Sequence, residues 1–368
     1  MQKILLIQLK QIGDVLLSTS LFKNIKKNFP DSQVDILIYE HCKGVVEGNP
    51  YVDNIISITS DERKNFFKLL KKLEKLKKEK YDYSIDLLTD IRSGIITFFV
   101  NADKKIAAKK NKFRNKIFYN VRVENNLQNV IEYRNHLLTA IKQDIIFDNE
   151  VKIFLTEDEI KNLKIKMIEG GVDFSKPIAA FGINSRREYK IWKLEYFVEV
   201  IDYLVEKYDM QIILYNNKAE RDYALKAKSK IKNKKNIFTD IETKNIRELV
   251  ALLKNCDIFI GNEGGPRHMA ESVETSTFSI GYITHDKESW ILERNNWGVK
   301  NRMVQLDDFL NITDCEYGEI KKRVKRNTKL ELEEFYKITP EFIIKKIEEM
   351  IFDLKAKNIF RGTIEWKK

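Results

Sequence analysis

The sequence predicts an α/β protein built from two parallel-sheet domains, and three observations carry that prediction. Short apolar runs alternate with longer amphipathic stretches, the alternation restarts after a polar stretch near 148–176, and 368 residues exceed what one hydrophobic core usually organises. A βαβα rhythm favours parallel strands covered on both faces, because each crossover lays a helix on the sheet. Two stacked Rossmann-like domains follow, expected over 1–155 and 156–337, with a helix and tail over 338–368 closing the fold.

The opening Met1-Gln2-Lys3-Ile4-Leu5-Leu6-Ile7 turns polar at Gln8 and has no small-residue cleavage site. Lys3–Leu9 therefore reads as a first strand and not as a signal peptide. A helix is expected from about Asp14 to Asn28, then a strand over Gln33–Tyr39 and a further helical segment. Lys64–Lys80 has helical spacing, with Phe66, Leu69, Leu70, Leu73 and Leu76 on one face against many lysines; that face can pack on the domain core or lie on an anionic membrane. Tyr83–Leu88 reads as a strand and Ser93–Asn101 as a helix.

In the second half, strands are expected over Pro177–Ile183, Met210–Tyr215, Asn236–Thr239 and Asp257–Ile260, with a helix from about Leu194 to Tyr208. Ile338–Lys355 resumes helical spacing, with Pro340 where a first turn tolerates it.

Hydrophobic residues make up 43% and charged residues 33% of the chain, a globular composition with a wet surface. The formal charge of +11 calls for an anionic partner only where it is clustered. Basic residues are interleaved with 55 acids and no recognition motif is present, so nucleic acid is not an expected partner. Cys42, Cys256 and Cys315 are far apart and lack metal-like spacing, which fits a reducing cytoplasm without a disulfide framework. No apolar run approaches the ~20 residues that span a bilayer, so any membrane contact is expected to be peripheral.

Three constellations carry chemistry. After the first strand, Gly13 permits close backbone approach and Asp14 stands at the mouth of a helix, at the sheet edge where open α/β folds bind ligands. Asp14 can cap that helix or act as a general base; the two roles are compatible. Asp257-Ile258-Phe259-Ile260 leads into Gly261-Asn262-Glu263-Gly264-Gly265-Pro266-Arg267-His268-Met269-Ala270, where Pro266 begins a helix and the glycines leave its first N–H groups open to a diphosphate. An ordinary βα loop is the alternative. Cations at a helix start are disfavoured by the dipole unless an anion lies between them, so Arg267 and His268 suggest a bound phosphate. Third, the loop 184–192 with Ser185 and Lys190 can hold phosphate oxygens, and Glu220, after the next strand, can bind a ribose hydroxyl.

A nicotinamide enzyme would need Gly-x-Gly-x-x-Gly after the first strand, where this chain has Lys10-Gln11-Ile12-Gly13-Asp14. A nucleotide-sugar epimerase of similar two-domain fold stays open and would turn over without an acceptor. No Asp-x-Asp pair occurs, so neither a metal nor a cofactor is expected. The basic segment with Lys104, Lys105, Lys109, Lys110, Lys112, Arg114 and Lys116 around Phe113 suits phosphate or carboxylate groups of a lipid-linked saccharide, or is a solvated loop.

Together, Ile4 to Val15, Glu47 to Asp53, Tyr81 to Leu87 with Arg92-Ser93, Lys190-x-Trp192 and Gly261 to Ala270 resemble glycosyltransferase family 9, the ADP-heptose:lipopolysaccharide heptosyltransferases. The resemblance covers about residues 3 to 350. It implies a GT-B fold with two domains facing a central cleft, an inverting reaction and Asp14 as catalytic base. Gln11 would lie near the acceptor or donor, and Ser185, Lys190, Glu220, Glu263, Gly264, Gly265 and His268 match donor-site positions. The partners implied are ADP-heptose, an anionic glycolipid such as the lipopolysaccharide core, and the inner face of the cytoplasmic membrane as a peripheral contact. The chain departs from the family where Glu263-Gly264 replaces Asp-Thr, Arg267 adds a cation, Lys193 replaces a Pro and Ala107 a Gly.

Overall fold

The computed structural model describes residues 2–110, 113–216, 220–290, 301–357 and 360–361. The chain divides into two compact units, Met1–Phe154 with Glu288–Trp290, and Leu155–Lys287 with Ile291–Lys368. No helix among the described residues is long and apolar enough to cross a membrane.

The first unit runs β1 (Lys3–Gln8), α1 (Ile12–Leu16), α2 (Thr19–Asn28), β2 (Gln33–Tyr39), β3 (Asn54–Ile58), α3 (Phe66–Lys78), β4 (Tyr81–Asp86), α4 (Ile91–Phe99), β5 (Ala102–Ala108), α5 (Phe113–Phe118), β6 (Val121–Val123) and α6 (Val130–Asn135). Its six parallel strands lie in the order β3-β2-β1-β4-β5-β6. The apolar run of β1 is central and buried from Ile4 to Gln8, as a strand covered on both faces must be.

The second unit contributes β7 (Ile178–Gly182), α7 (Leu194–Tyr208), β8 (Gln211–Ile213), α8 (Arg221–Lys230), β9 (Ile237–Phe238), β10 (Ile258–Asn262), α9 (Gly265–Ser272), β11 (Ser276–Ile280), β12 (Asn301–Val304) and α10 (Pro340–Ala356). Its strands, all parallel, lie in the order β12-β11-β10-β7-β8-β9. Counted within each unit, both sheets therefore have the order 3-2-1-4-5-6, which reverses between the first and fourth strands. Ligands bind such sheets at the carboxyl ends of the strands flanking that reversal. In the first unit the position lies between β1 and β4, in the second between β7 and β10.

Several expectations need correction. The helix expected over 14–28 is two helices, because Ser18 Oγ donates to the Asp14 carbonyl at 3.0 Å and accepts from Gln8 Nε2 at 2.9 Å, tying off the first turn. The helix expected over 64–80 begins at Asn65, whose side chain accepts from the N–H groups of Phe67 and Lys68 and so caps α3. Leu73 and Leu76 enter the core from it, while Phe67 is exposed. Lys104 and Lys105 are not in a loop: they lie on β5, an edge-proximal strand whose polar first half masks its character. Lys112 lies outside the described residues.

Candidate active site

In the first unit the chain leaves β1 through Lys10 and enters α1 with Gln11 as an exposed N-cap that makes no capping bond through its side chain. Asp14 is therefore not the cap. It stands in the first turn, its side chain 18% exposed, and its carboxylate is held by a residue absent from every motif in the sequence. Arg134, on α6 and 5% exposed, donates from Nη1 to the Asp14 carbonyl at 2.6 Å and to Ser18 Oγ at 3.1 Å, and from Nη2 to Asp14 Oδ1 at 3.1 Å. Lys10 Nζ approaches the same oxygen at 3.7 Å. Burial pulls the Arg134 guanidinium below its ordinary value, and Asp14 pulls it back up. The planar fork thus grips backbone and side chain of one residue together, which a lysine cannot do.

The described basic residues expected at the acceptor do not join that pair. Lys105 donates from Nζ to the Phe98 carbonyl at 2.6 Å, satisfying an orphan carbonyl in the last turn of α4, and burial lowers its ammonium. Lys109, just after β5, pairs with Glu124. Arg114 lies half-buried on α5.

In the second unit Lys190, Glu263 and His268 come together. Glu263 follows β10 with its side chain only 6% exposed, and its carboxylate has Lys190 Nζ at 3.9 Å, His268 Nε2 at 3.8 Å, His285 Nδ1 at 3.8 Å and Arg267 Nη2 at 4.0 Å. Burial alone would raise Glu263; the field of His285, Arg267, His268 and Lys190 outweighs it and holds the carboxyl below its usual range. His285 is buried and pushed down to about 4, burial being the main cause, so it is neutral at pH 7. Burial also lowers Lys190, whose ammonium stands 4.1 Å from the centre of the Tyr282 ring.

The structure gives Arg267 and His268 partners within the chain. Both are buried, and Glu271, one turn on, sits 3.3 Å from each. Two carboxylates of the chain, Glu263 and Glu271, lie against these side chains. What remains open to a ligand is backbone: α9 begins at Gly264 with no side-chain cap, and a Cβ at Gly265 would meet nothing within 4 Å. Asn262, buried at the same turn, accepts the Trp192 N–H at 2.8 Å through Oδ1, while its Nδ2 has no hydrogen-bond partner among the described residues. Trp192, fully buried and donating from Nε1 to the Ile338 carbonyl at 3.1 Å, anchors the loop that presents Lys190.

Ser185 lies on that same loop, half-buried, its N–H turned to Asn184 Oδ1 at 2.8 Å. Glu220 stands apart, one strand over, at the N-cap of α8, close enough to add to the burial that raises the Tyr215 phenol. Sequence reasoning missed Arg134, Glu271 and His285. His285 had a positional signal, since it follows β11 at a strand's carboxyl end; Arg134 had none.

The family model of glycosyltransferase family 9 (heptosyltransferase) matches residues 69–312, well over half of the chain but beginning after Asp14. A lipopolysaccharide heptosyltransferase 3 of Escherichia coli is 25% identical over 279 residues, 73% of this chain and 80% of that protein. Among solved structures, a glycosyl transferase family 9 protein from Veillonella parvula DSM 2008 superposes with a TM-score of 0.78 at 18% identity, covering 96% of this chain and 98% of its own. The E. coli ADP-heptose lps heptosyltransferase II does so at 0.71 and 15%, covering 96% and 100%. The two six-stranded parallel sheets are thus those of GT-B glycosyltransferases, and the chain belongs to glycosyltransferase family 9, the heptosyltransferase family.

Proposed function

We propose that the chain transfers a heptose or a related sugar from an ADP-sugar to a lipopolysaccharide or lipooligosaccharide core acceptor, with inversion and with Asp14 as general base. The observation that carries the reading is the Asp14 carboxylate, partly exposed at the reversal point of its sheet and fixed by a buried arginine. The names of the relatives support the donor and the acceptor class.

In this mechanism the acceptor hydroxyl oxygen attacks the anomeric carbon while its proton passes to Asp14. The bond from that carbon to the diphosphate oxygen breaks, and the electron pair leaves with ADP. Negative charge growing on the diphosphate is met by Lys190 and the N–H groups that open α9 at Gly264 and Gly265. Glu263 and His268 set the position of Lys190 and of that turn, Ser185 offers a hydroxyl beside it, and Glu220 takes a ribose hydroxyl. Gln11, Lys109 and Arg114 are placed on the acceptor; the contact of Lys105 with the Phe98 carbonyl argues against a direct part for it. A single displacement inverts the anomeric configuration.

The test is Asp14→Asn, assayed for sugar transfer and for ADP binding by thermal shift. A general base supplies about 10²- to 10⁴-fold, so kcat should fall by about 10³-fold while the shift by ADP persists. Undiminished transfer by Asp14→Asn rejects the base; absence of any ADP shift in the parent chain rejects the donor.

A further inference from the structure

Six large apolar side chains of the first unit, each at least 41% exposed, lie on two adjoining helices. Ile91, Ile95, Phe98 and Phe99 recur at helical spacing along α4, and Phe113 and Ile117 stand one turn apart on α5. The helices pack through Gly94, where a Cβ would come within 2.4 Å of the Phe118 ring, and Phe98 meets Phe118 edge-on with ring centres 6.4 Å apart. The other strongly exposed apolar residues, such as Ile146, Leu225 and Phe352, are scattered over the chain. Single exposed apolar residues are ordinary, whereas a continuous apolar face on a soluble chain marks a contact.

The rim of this face is basic. Arg92 and Lys116 are exposed on the helices themselves, and Lys105 Nζ stands 5.5 Å from the centre of the Phe98 ring, against Asp90, which caps α4, and Glu124, paired with Lys109. An apolar centre edged by long cationic side chains matches a bilayer with anionic headgroups: the aromatic and aliphatic groups enter the acyl boundary while the lysines stay at the phosphates. A protein partner would not require the positive rim, and a free phosphate would not require the apolar centre.

We infer that the α4–α5 face docks the chain on an anionic membrane surface. The docking gains its sense from the reading of the chain as a transferase with a lipid-linked acceptor; its physical basis is the two apolar stripes. Helix α3 is not the docking element, because Leu73 and Leu76 are spent on the core.

Flotation of the full chain with vesicles of phosphatidylcholine, with and without phosphatidylglycerol, tests the inference. The chain should float with the anionic vesicles, with recovery falling as salt screens the rim. Phe113→Ser/Ile117→Ser should lower vesicle affinity by about tenfold, since two buried apolar side chains are withdrawn from the lipid. Its transfer to a water-soluble, delipidated acceptor should be unchanged. Equal recovery with both vesicle types, or equal recovery of parent and double variant, overturns the docking. So does a dimer in solution that the same double variant dissolves, which would make the face a contact between copies. Flotation without transfer to the soluble acceptor would leave the docking standing and overturn the transferase reading instead.

Discussion

Asp14 and His285 show how far a side chain's role depends on neighbours distant in sequence. Arg134 reaches Asp14 across 120 positions and holds both its carbonyl and its carboxylate. Replacing it by Met withdraws the guanidinium from both, leaving the carbonyl to Ser18 Oγ and the carboxylate to Lys10 at 3.7 Å. Breaking a fully buried pair costs about 3 to 5 kcal/mol, and the exposure of Asp14 reduces the expectation to about 2 to 3 kcal/mol. With Asp14 as the proposed base, Arg134→Lys should lower kcat in a transfer assay by about 10²-fold with the donor KM unchanged, because a displaced base fails in the transition state and not in donor binding. A rise in donor KM with kcat intact would contradict the positioning role.

His285 yields a pH prediction. Its imidazole titrates near 6.5 when unfolded and at about 4 in the folded chain, so between these values the unfolded state holds a proton that the native state lacks. Stability must then rise with pH through that window, and this group alone should make the chain about 2 kcal/mol less stable at pH 5 than at pH 7. Urea denaturation of His285→Asn should show a pH 5 to pH 7 difference smaller by that amount. Glu263, held low, acts in the same direction but only below its ordinary range, so the two contributions separate.

At the scale of elements, the best-read segments were those whose pattern is local. Helix α7 occupies Leu194–Tyr208 as its spacing predicts, and β1 and β2 sit where their apolar runs lie. Strands β5 and β11 escaped notice because their residues do not advertise a strand: Ala102–Ala108 is basic, and Ser276–Ile280 is rich in hydroxyls yet wholly buried. Their identity comes from pairing, β5 with β4 and β11 with β10. Pairing also explains Gly261 by packing and not by turn formation. A Cβ there would lie 2.5 Å from the Gly182 carbonyl oxygen on β7, against backbone that cannot yield. Gly261→Ala should therefore wedge β10 from β7 and cost about 3 kcal/mol or more in urea denaturation; a change under 1 kcal/mol would refute the close approach.

For the whole molecule, the terminal helix belongs to the second unit and is part of its core. Ile343, Ile347, Met350, Ile351 and Leu354 of α10 are buried with Phe197, Ile201 and Leu204 of α7. At about 1.5 to 3 kcal/mol per buried side chain, these five contribute about 7 to 15 kcal/mol, comparable with the usual net stability of about 5 to 15 kcal/mol. A chain ended at Ile338 should lose the cooperative unfolding of the second unit, as circular dichroism against temperature would show; an unaltered melt would refute the packing account.

The sequence by itself determined the class of fold, the restart of the pattern in the second half and the loops that follow the strands at their carboxyl ends, because hydrophobic period and turn chemistry are written in neighbouring residues. Only the tertiary structure decided which charges meet. Arg134 reached Asp14, and Glu271 and Glu263 lie against Arg267 and His268, because burial forces each polar or charged group to find a partner in space, and that partner can come from anywhere along the chain.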